Sequence, residues 1–189
     1  MTTKFKRVYF RLPNWDYREE GAYFITICTK DRLHFFGEIE GRKMELSHIG
    51  ELVKACWLET EFHFPNVHLR EFVIMPDHFH GVVVIDKSVI RNENDKILRG
   101  NRFQNIGSQS ISSIIGSFKS AVSRKSRMLN PAFGWQSRFH DRVIRSTMEL
   151  DRIENYIRRN VENYNKKSRV RACPDHTFFS INQFFSCMP

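Results

Sequence analysis

The sequence predicts an α+β domain, a ferredoxin-like antiparallel sheet with helices packed on it. Three observations carry that expectation. Short runs rich in β-branched and aromatic residues alternate with longer stretches of helical periodicity, in the order strand, hairpin, helix, two strands, helix, strand, helix. Two of the strands meet across a tight turn at Pro76-Asp77, as antiparallel neighbours do. No internal repeat divides the 189 residues, so a single domain over 1–189 is expected, with its core at about 20–165.

Taken in order, Tyr23-Phe24-Ile25-Thr26-Ile27-Cys28-Thr29 reads as the first strand. Phe35 to Ser47, interrupted by Glu40-Gly41-Arg42, suggests a hairpin. From Ile49 to about Phe62, Leu52, Val53, Cys56 and Trp57 have the spacing of a helix with one buried face. Leu69 to Met75 and Phe79 to Ile85 are the paired strands. Residues 86–109 are polar and read as a loop or insertion. Ser110 opens a helix whose Ile111, Ile114, Ile115, Phe118 and Val122 form a core stripe. Arg138 to Arg145 is the last strand, and one helix is expected from about Met148 to Tyr164. Residues 166–189 form a tail that starts basic and ends with two Phe-Phe pairs.

The chain carries 30 Lys plus Arg against 21 Asp plus Glu, a formal charge of +9. That excess favours a polyanionic partner, nucleic acid before a membrane surface, because no basic amphipathic helix or lipidation motif accompanies it. The four cysteines, at 28, 56, 173 and 187, have no Cys-x-x-Cys spacing and read as reduced thiols. The first residues lack the apolar stretch of a signal peptide, and no segment has the length to span a bilayer, so a cytoplasmic location is expected.

Chemistry enters with Pro76-Asp77-His78-Phe79-His80 ahead of the apolar run Val82-Val83-Val84-Ile85. Side chains two apart on a strand share a face. His78 and His80 can therefore meet one metal ion while Phe79 faces the other way. Two polar residues at a strand mouth would have the same pattern, so the motif needs a partner. On the last helix, Leu150, Ile153, Ile157, Val161 and Tyr164 project into one narrow sector, the buried face. Tyr156 lies about 100° from its middle, on a flank shared with Glu149, Arg152, Asn160 and Asn163. A boundary tyrosine wetting its hydroxyl would also sit there. Four residues apart on a helix, Tyr156 and Asn160 can present a phenol and an amide oxygen to one point. Opposite His78 and His80, they would place a nucleophile beside an ion with two imidazole ligands and one oxygen ligand.

The sequence resembles the single-tyrosine HUH transposases, most closely the branch associated with repetitive extragenic palindromes (REP). The resemblance runs through Tyr23 to Thr29, Val73-Ile74-Met75-Pro76-Asp77-His78-Phe79-His80-Gly81, Ile114 to Ser120, Trp135-Gln136 with Phe139 and Asp141, and Tyr156-Ile157 with Asn160. It implies an HUH-type fold and a metal-dependent single-stranded DNA endonuclease and strand transferase that acts next to DNA hairpins through a 5′-phosphotyrosine intermediate. By position Tyr156 would be the nucleophile, His78 and His80 the histidine ligands, and Asn160 would stand where insertion-sequence relatives place a glutamine ligand. The ion would be Mg2+ or Mn2+, and two imidazoles suit manganese better. Val161 replaces the proline usual after this asparagine and should simply continue the helix. Lys119, Arg124, Lys125, Arg127, Lys166 and Lys167 are candidate contacts to a single-stranded or hairpin DNA backbone. Relatives include dimers, so a homodimer is compatible with the resemblance. Two other readings use the same residues: a non-cutting hairpin DNA-binding regulator with this fold, and a phosphodiesterase whose histidines activate water.

Overall fold

The computed structural model of the chain describes residues 20–86 and 110–168. In chain order these form β1 (Gly21–Cys28), a 3-10 turn (Lys30–Arg32), β2 (Gly37–Glu40), β3 (Lys43–Leu46), α1 (His48–His63), β4 (Val67–Met75) and β5 (His78–Ile85). After residue 109 come α2 (Ile111–Leu129), β6 (His140–Ile144), α3 (Thr147–Arg158) and α4 (Asn160–Ser168). Four strands make one antiparallel sheet in the order β4-β5-β1-β6, and β2 pairs with β3 in a separate ribbon. This is the expected ferredoxin-like α+β arrangement, with the ribbon and the last two helices as additions. No helix among the described residues is long and apolar enough to cross a membrane.

Strand alternation divides the interior between the two faces of the sheet. Ile25 and Ile27 of β1 and Phe79 and Val83 of β5 meet Trp57 of α1 and the predicted isoleucine stripe of α2 in the larger core. On the opposite face Phe24, Val82 and Ile144 meet Ile153 and Ile157 of α3. The first two helices thus cover one face, and the tyrosine helix covers the other. Ser47, Ser110 and Ser146 cap α1, α2 and α3, each accepting a backbone N–H three residues on. Such a cap contributes about 1 kcal/mol to a helix end that otherwise leaves donors unpaired.

The single helix expected over Met148 to Tyr164 is two. Arg159 adopts φ −89°, ψ 3° between α3 and α4, in the sparsely populated bridge region. Its N–H donates to Asn155 O, and its carbonyl accepts from Asn163 N–H, so hydrogen bonding continues through the bend. Neither glycine nor proline marks the place, and the apolar spacing runs straight across it, which is why the periodicity hid the break. Val161 does continue a helix, but one that starts at Asn160 and reaches Ser168. Tyr164, expected on the buried face, is half-buried with its hydroxyl 3.4 Å from His34 Nε2. The expected polar loop, apart from Asp86, and the tail after Ser168 lie outside the described residues, as do the side chains of Lys166 and Lys167.

Candidate active site

The face of the sheet under α3 carries the histidines. β5 pairs with β1 so that His80 stands opposite Thr26 and His78 opposite Cys28, while Phe79 enters the other core as the alternation required. Apolar packing then sets the tyrosine. Ile153 and Ile157 seat α3 on Phe24, Val82 and Ile144, and the Tyr156 ring rests against the edge of that cluster. Buried Glu154 fastens the same helix to the edge strand through Arg70 at 2.6 Å and also meets Arg158 at 3.2 Å.

These constraints bring Tyr156 Oη to 3.5 Å from His80 Nε2. The two imidazoles stand edge to face, with ring centroids 4.8 Å apart, and the Phe24 ring stacks on His80 at 5.3 Å. On the far side of each imidazole an oxygen holds Nδ1: Thr26 Oγ1 at 2.8 Å from His80 and Asp77 Oδ1 at 2.5 Å from His78. A metal ion would therefore meet both rings through Nε2, with an oxygen partner behind each ligand. Asn160 is buried beside the tyrosine and hydrogen-bonds its hydroxyl. Among the described residues no cluster of three or more His, Cys, Asp or Glu side chains is arranged for a metal. The donor set is two imidazoles and an amide, so it fits a divalent ion whose remaining positions are taken by water or phosphate oxygens.

The electrostatics follow the burial. Burial pushes the Tyr156 phenol above its usual range, and the hydrogen bond from Asn160 partly opposes that rise. Burial alone would also raise the Asp77 carboxyl, but the bond to His78 and the charges of His78, Arg32 and His34 hold it below the usual carboxylate value. Burial lowers His140, which stands across β1 from His80 as the other cross-strand neighbour of Thr26, against the pull of Asp141.

All four residues singled out for chemistry, Tyr156, His78, His80 and Asn160, come together. The candidate DNA contacts do not gather around them. Arg124, Lys125 and Arg127 lie on α2, across the sheet from the histidines. Lys125 pairs with Glu59 at 3.4 Å, and Arg127 reaches Phe133 O at 3.4 Å. Lys119 reaches the strand ends near the site, where its Nζ donates to Gln136 O at 2.8 Å, and burial lowers its pKa. Thr26, Asp77 and Arg32 are site residues to which the sequence pattern assigns no role. Asp77 had a signal in its adjacency to His78, but Thr26 is linked to His80 only by register.

Arg32 belongs to a tight turn at the mouth of the site. Asp31 and Arg32 have φ of 53° and 57°, the left-handed region that costs a non-glycine residue about 1–2 kcal/mol. The turn is tied down by Thr29, whose N–H donates to Asp77 O at 2.9 Å and whose hydroxyl lies 2.8 Å from Leu33 O. Arg32 Nε meets Asp77 Oδ2 at 2.8 Å, and its Nη1 donates to Cys28 Sγ at 2.8 Å.

Comparison with known proteins gives two findings. An uncharacterized protein of Haemophilus influenzae is 38% identical over 168 residues, covering 85% of this chain and 93% of the relative. The solved structure of a REP-associated tyrosine transposase bound to a REP hairpin superposes with a TM-score of 0.57 at 16% identity, over 90% of this chain and 95% of that one. The second finding fixes the fold alone. No family model matches the chain.

Proposed function

From a chain that belongs to one family with the Haemophilus influenzae protein and has the fold of a REP-associated tyrosine transposase, we propose a metal-dependent endonuclease and strand transferase for single-stranded DNA. It acts beside a DNA hairpin, and its partner is the hairpin with its single-stranded flank. The observation that carries this reading is the meeting of Tyr156 with His80, which stands edge to face with His78, the Nδ1 atoms of both imidazoles being held from behind.

Tyr156 Oη attacks the scissile phosphorus. The Oη–P bond forms, the P–O3′ bond breaks, and the 3′ oxygen leaves as a hydroxyl after taking up a proton. The phenolic proton passes to water, which reaches this half-buried ring. A phosphodiester is exchanged for a phosphotyrosine diester, so no external energy source is needed and the 3′ hydroxyl can reverse the step. His78 and His80 would hold Mg2+ or Mn2+ with Asn160 as a weaker oxygen ligand; the ion would polarise the phosphate. Asn160 favours the phenolate by its hydrogen bond, and the apolar seat of α3 keeps the nucleophile in place. The +9 charge supplies attraction to the phosphate backbone.

The test is a denaturing gel after incubation with manganese and hairpin-bearing single-stranded DNA. Wild type is expected to carry a covalent adduct and Tyr156→Phe none, although the variant still binds the hairpin. A non-cutting regulator forms no adduct in either. A phosphodiesterase that activates water cleaves in both and leaves DNA on neither.

A further inference from the structure

We propose that Arg32 and Asp77 are a positioning pair for His78. Asp77 accepts the Nδ1–H of that imidazole and so commits Nε2 to the site, and Arg32 fixes the carboxylate that does it. The inference deepens the functional reading above and rests on it for its purpose, the delivery of an imidazole lone pair to an ion.

Three observations carry it. Both Asp77 oxygens are engaged, one on each partner: Oδ1 at 2.5 Å from His78 Nδ1 and Oδ2 at 2.8 Å from Arg32 Nε. Asp77 and His78 are buried, 7% and 9% exposed, so this is no solvated surface pair whose geometry drifts. The residue that supplies the guanidinium also sits in a left-handed turn that a non-glycine side chain adopts only when its surroundings insist. Thr29 provides that insistence, binding the turn at Leu33 and the Asp77 backbone at its carbonyl. The same loop residue therefore sets both the backbone and, through Arg32, the carboxylate of Asp77.

A neutral imidazole carries one ring proton, and the partner at one nitrogen decides where it resides. Without Asp77 the Nδ1 proton loses its acceptor, and the ring becomes free to carry its proton on Nε2, where it would block a metal. Arg32 touches neither the ion nor the reacting atoms in this scheme. Its effect runs through Asp77.

The experiment uses the full-length chain without DNA. Nitrogen NMR of 15N-histidine-labelled protein in mildly alkaline buffer, with His78 assigned by a His78→Ala variant, reads the tautomer directly. Wild type is expected as Nδ1–H, Asp77→Ala as a mixture rich in Nε2–H, and the nearly isosteric Asp77→Asn, which retains an acceptor oxygen, as wild type. Calorimetry with Mn2+ alone should show affinity falling about 10–100-fold in Asp77→Ala. Arg32→Ala should lose less, and Arg32→Lys should recover part of that loss. An Nε2–H tautomer in wild type, or an unchanged tautomer in Asp77→Ala, overturns the proposal. So does Arg32→Ala weakening hairpin binding while tautomer and Mn2+ affinity stay put, because Arg32 would then be a DNA contact. The tautomer does not depend on cleavage, so an enzyme that holds Nδ1–H yet forms no covalent adduct would refute the functional reading and leave this one standing.

Discussion

Tyr156 Oη stands 3.5 Å from His80 Nε2, although the two residues are 76 positions apart in the chain. The distance is long for a hydrogen bond, and under the proposed function substrate would draw the two groups together. What brings the residues together is apolar: Ile153 and Ile157 press α3 onto the sheet face that β5 shares with Phe24. The site is thus assembled by packing on the smaller of the two cores, and the polar contacts around the histidines refine it.

Thr26 is expected to matter more than its place as one β-branched residue of the first strand suggests. Thr26→Val keeps the shape of the side chain and removes the oxygen 2.8 Å from His80 Nδ1. Loss of such an oxygen behind a ligand typically costs about 10–100-fold in metal affinity or activity. Single-turnover adduct formation should fall by that order while hairpin binding, measured by gel shift, is unchanged. Wild-type rates in Thr26→Val would mean that the His80 ring is oriented by other contacts.

The phenol gives a pH signature with a definite sign. Burial lifts Tyr156 above the ordinary tyrosine value of about 10, and Asn160 pulls it back. Asn160→Ala removes only the lowering influence, so the phenolate should appear at higher pH than in wild type. Ultraviolet difference titration against Tyr156→Phe isolates this one ring among the five tyrosines. The stability linkage has the matching sign, because a group raised in the folded state favours folding below its unfolded pKa and loses that contribution as pH rises through the folded value. A downward shift in Asn160→Ala would contradict the assigned hydrogen bond.

Gly81 is the one position of β5 where a methyl group has nowhere to go. A Cβ there would come within 2.7 Å of Trp57 Cζ2 and 2.9 Å of Phe79 Cε1, both in fully buried rings. Gly81→Ala should destabilise the domain by about 1–3 kcal/mol, the usual cost of overpacking, as read by urea unfolding. Because His80 immediately precedes it, adduct yield should fall further than the loss of folded protein explains. Unchanged stability would mean that α1 can lift from the sheet at Trp57.

Much of this was legible in the sequence because it depends on local periodicity. Alternation along β5 put His78 and His80 on one side and Phe79 on the other, and the 3.6-residue period placed Tyr156 on the flank of its helix rather than in the core. What required the fold was everything set by register or by backbone strain. Thr26 meets His80 because β1 pairs with β5 in one register, and a one-residue slip would point it into the opposite core. The Arg32 turn uses left-handed residues that are not glycine, and the bend at Arg159 contains no breaker, so neither has a compositional signature.

The central claim, that Tyr156 is the nucleophile, is tested most directly by locating the bond. Trypsin cuts after Arg152 and Arg158, releasing Ile153-Glu154-Asn155-Tyr156-Ile157-Arg158 with a single tyrosine. After reaction with hairpin-bearing single-stranded DNA and nuclease trimming, mass spectrometry should find this peptide carrying a nucleotide through its 5′ phosphate. The same linkage on a peptide containing Tyr9, Tyr17, Tyr23 or Tyr164, or cleaved DNA with no linked peptide, would contradict the account.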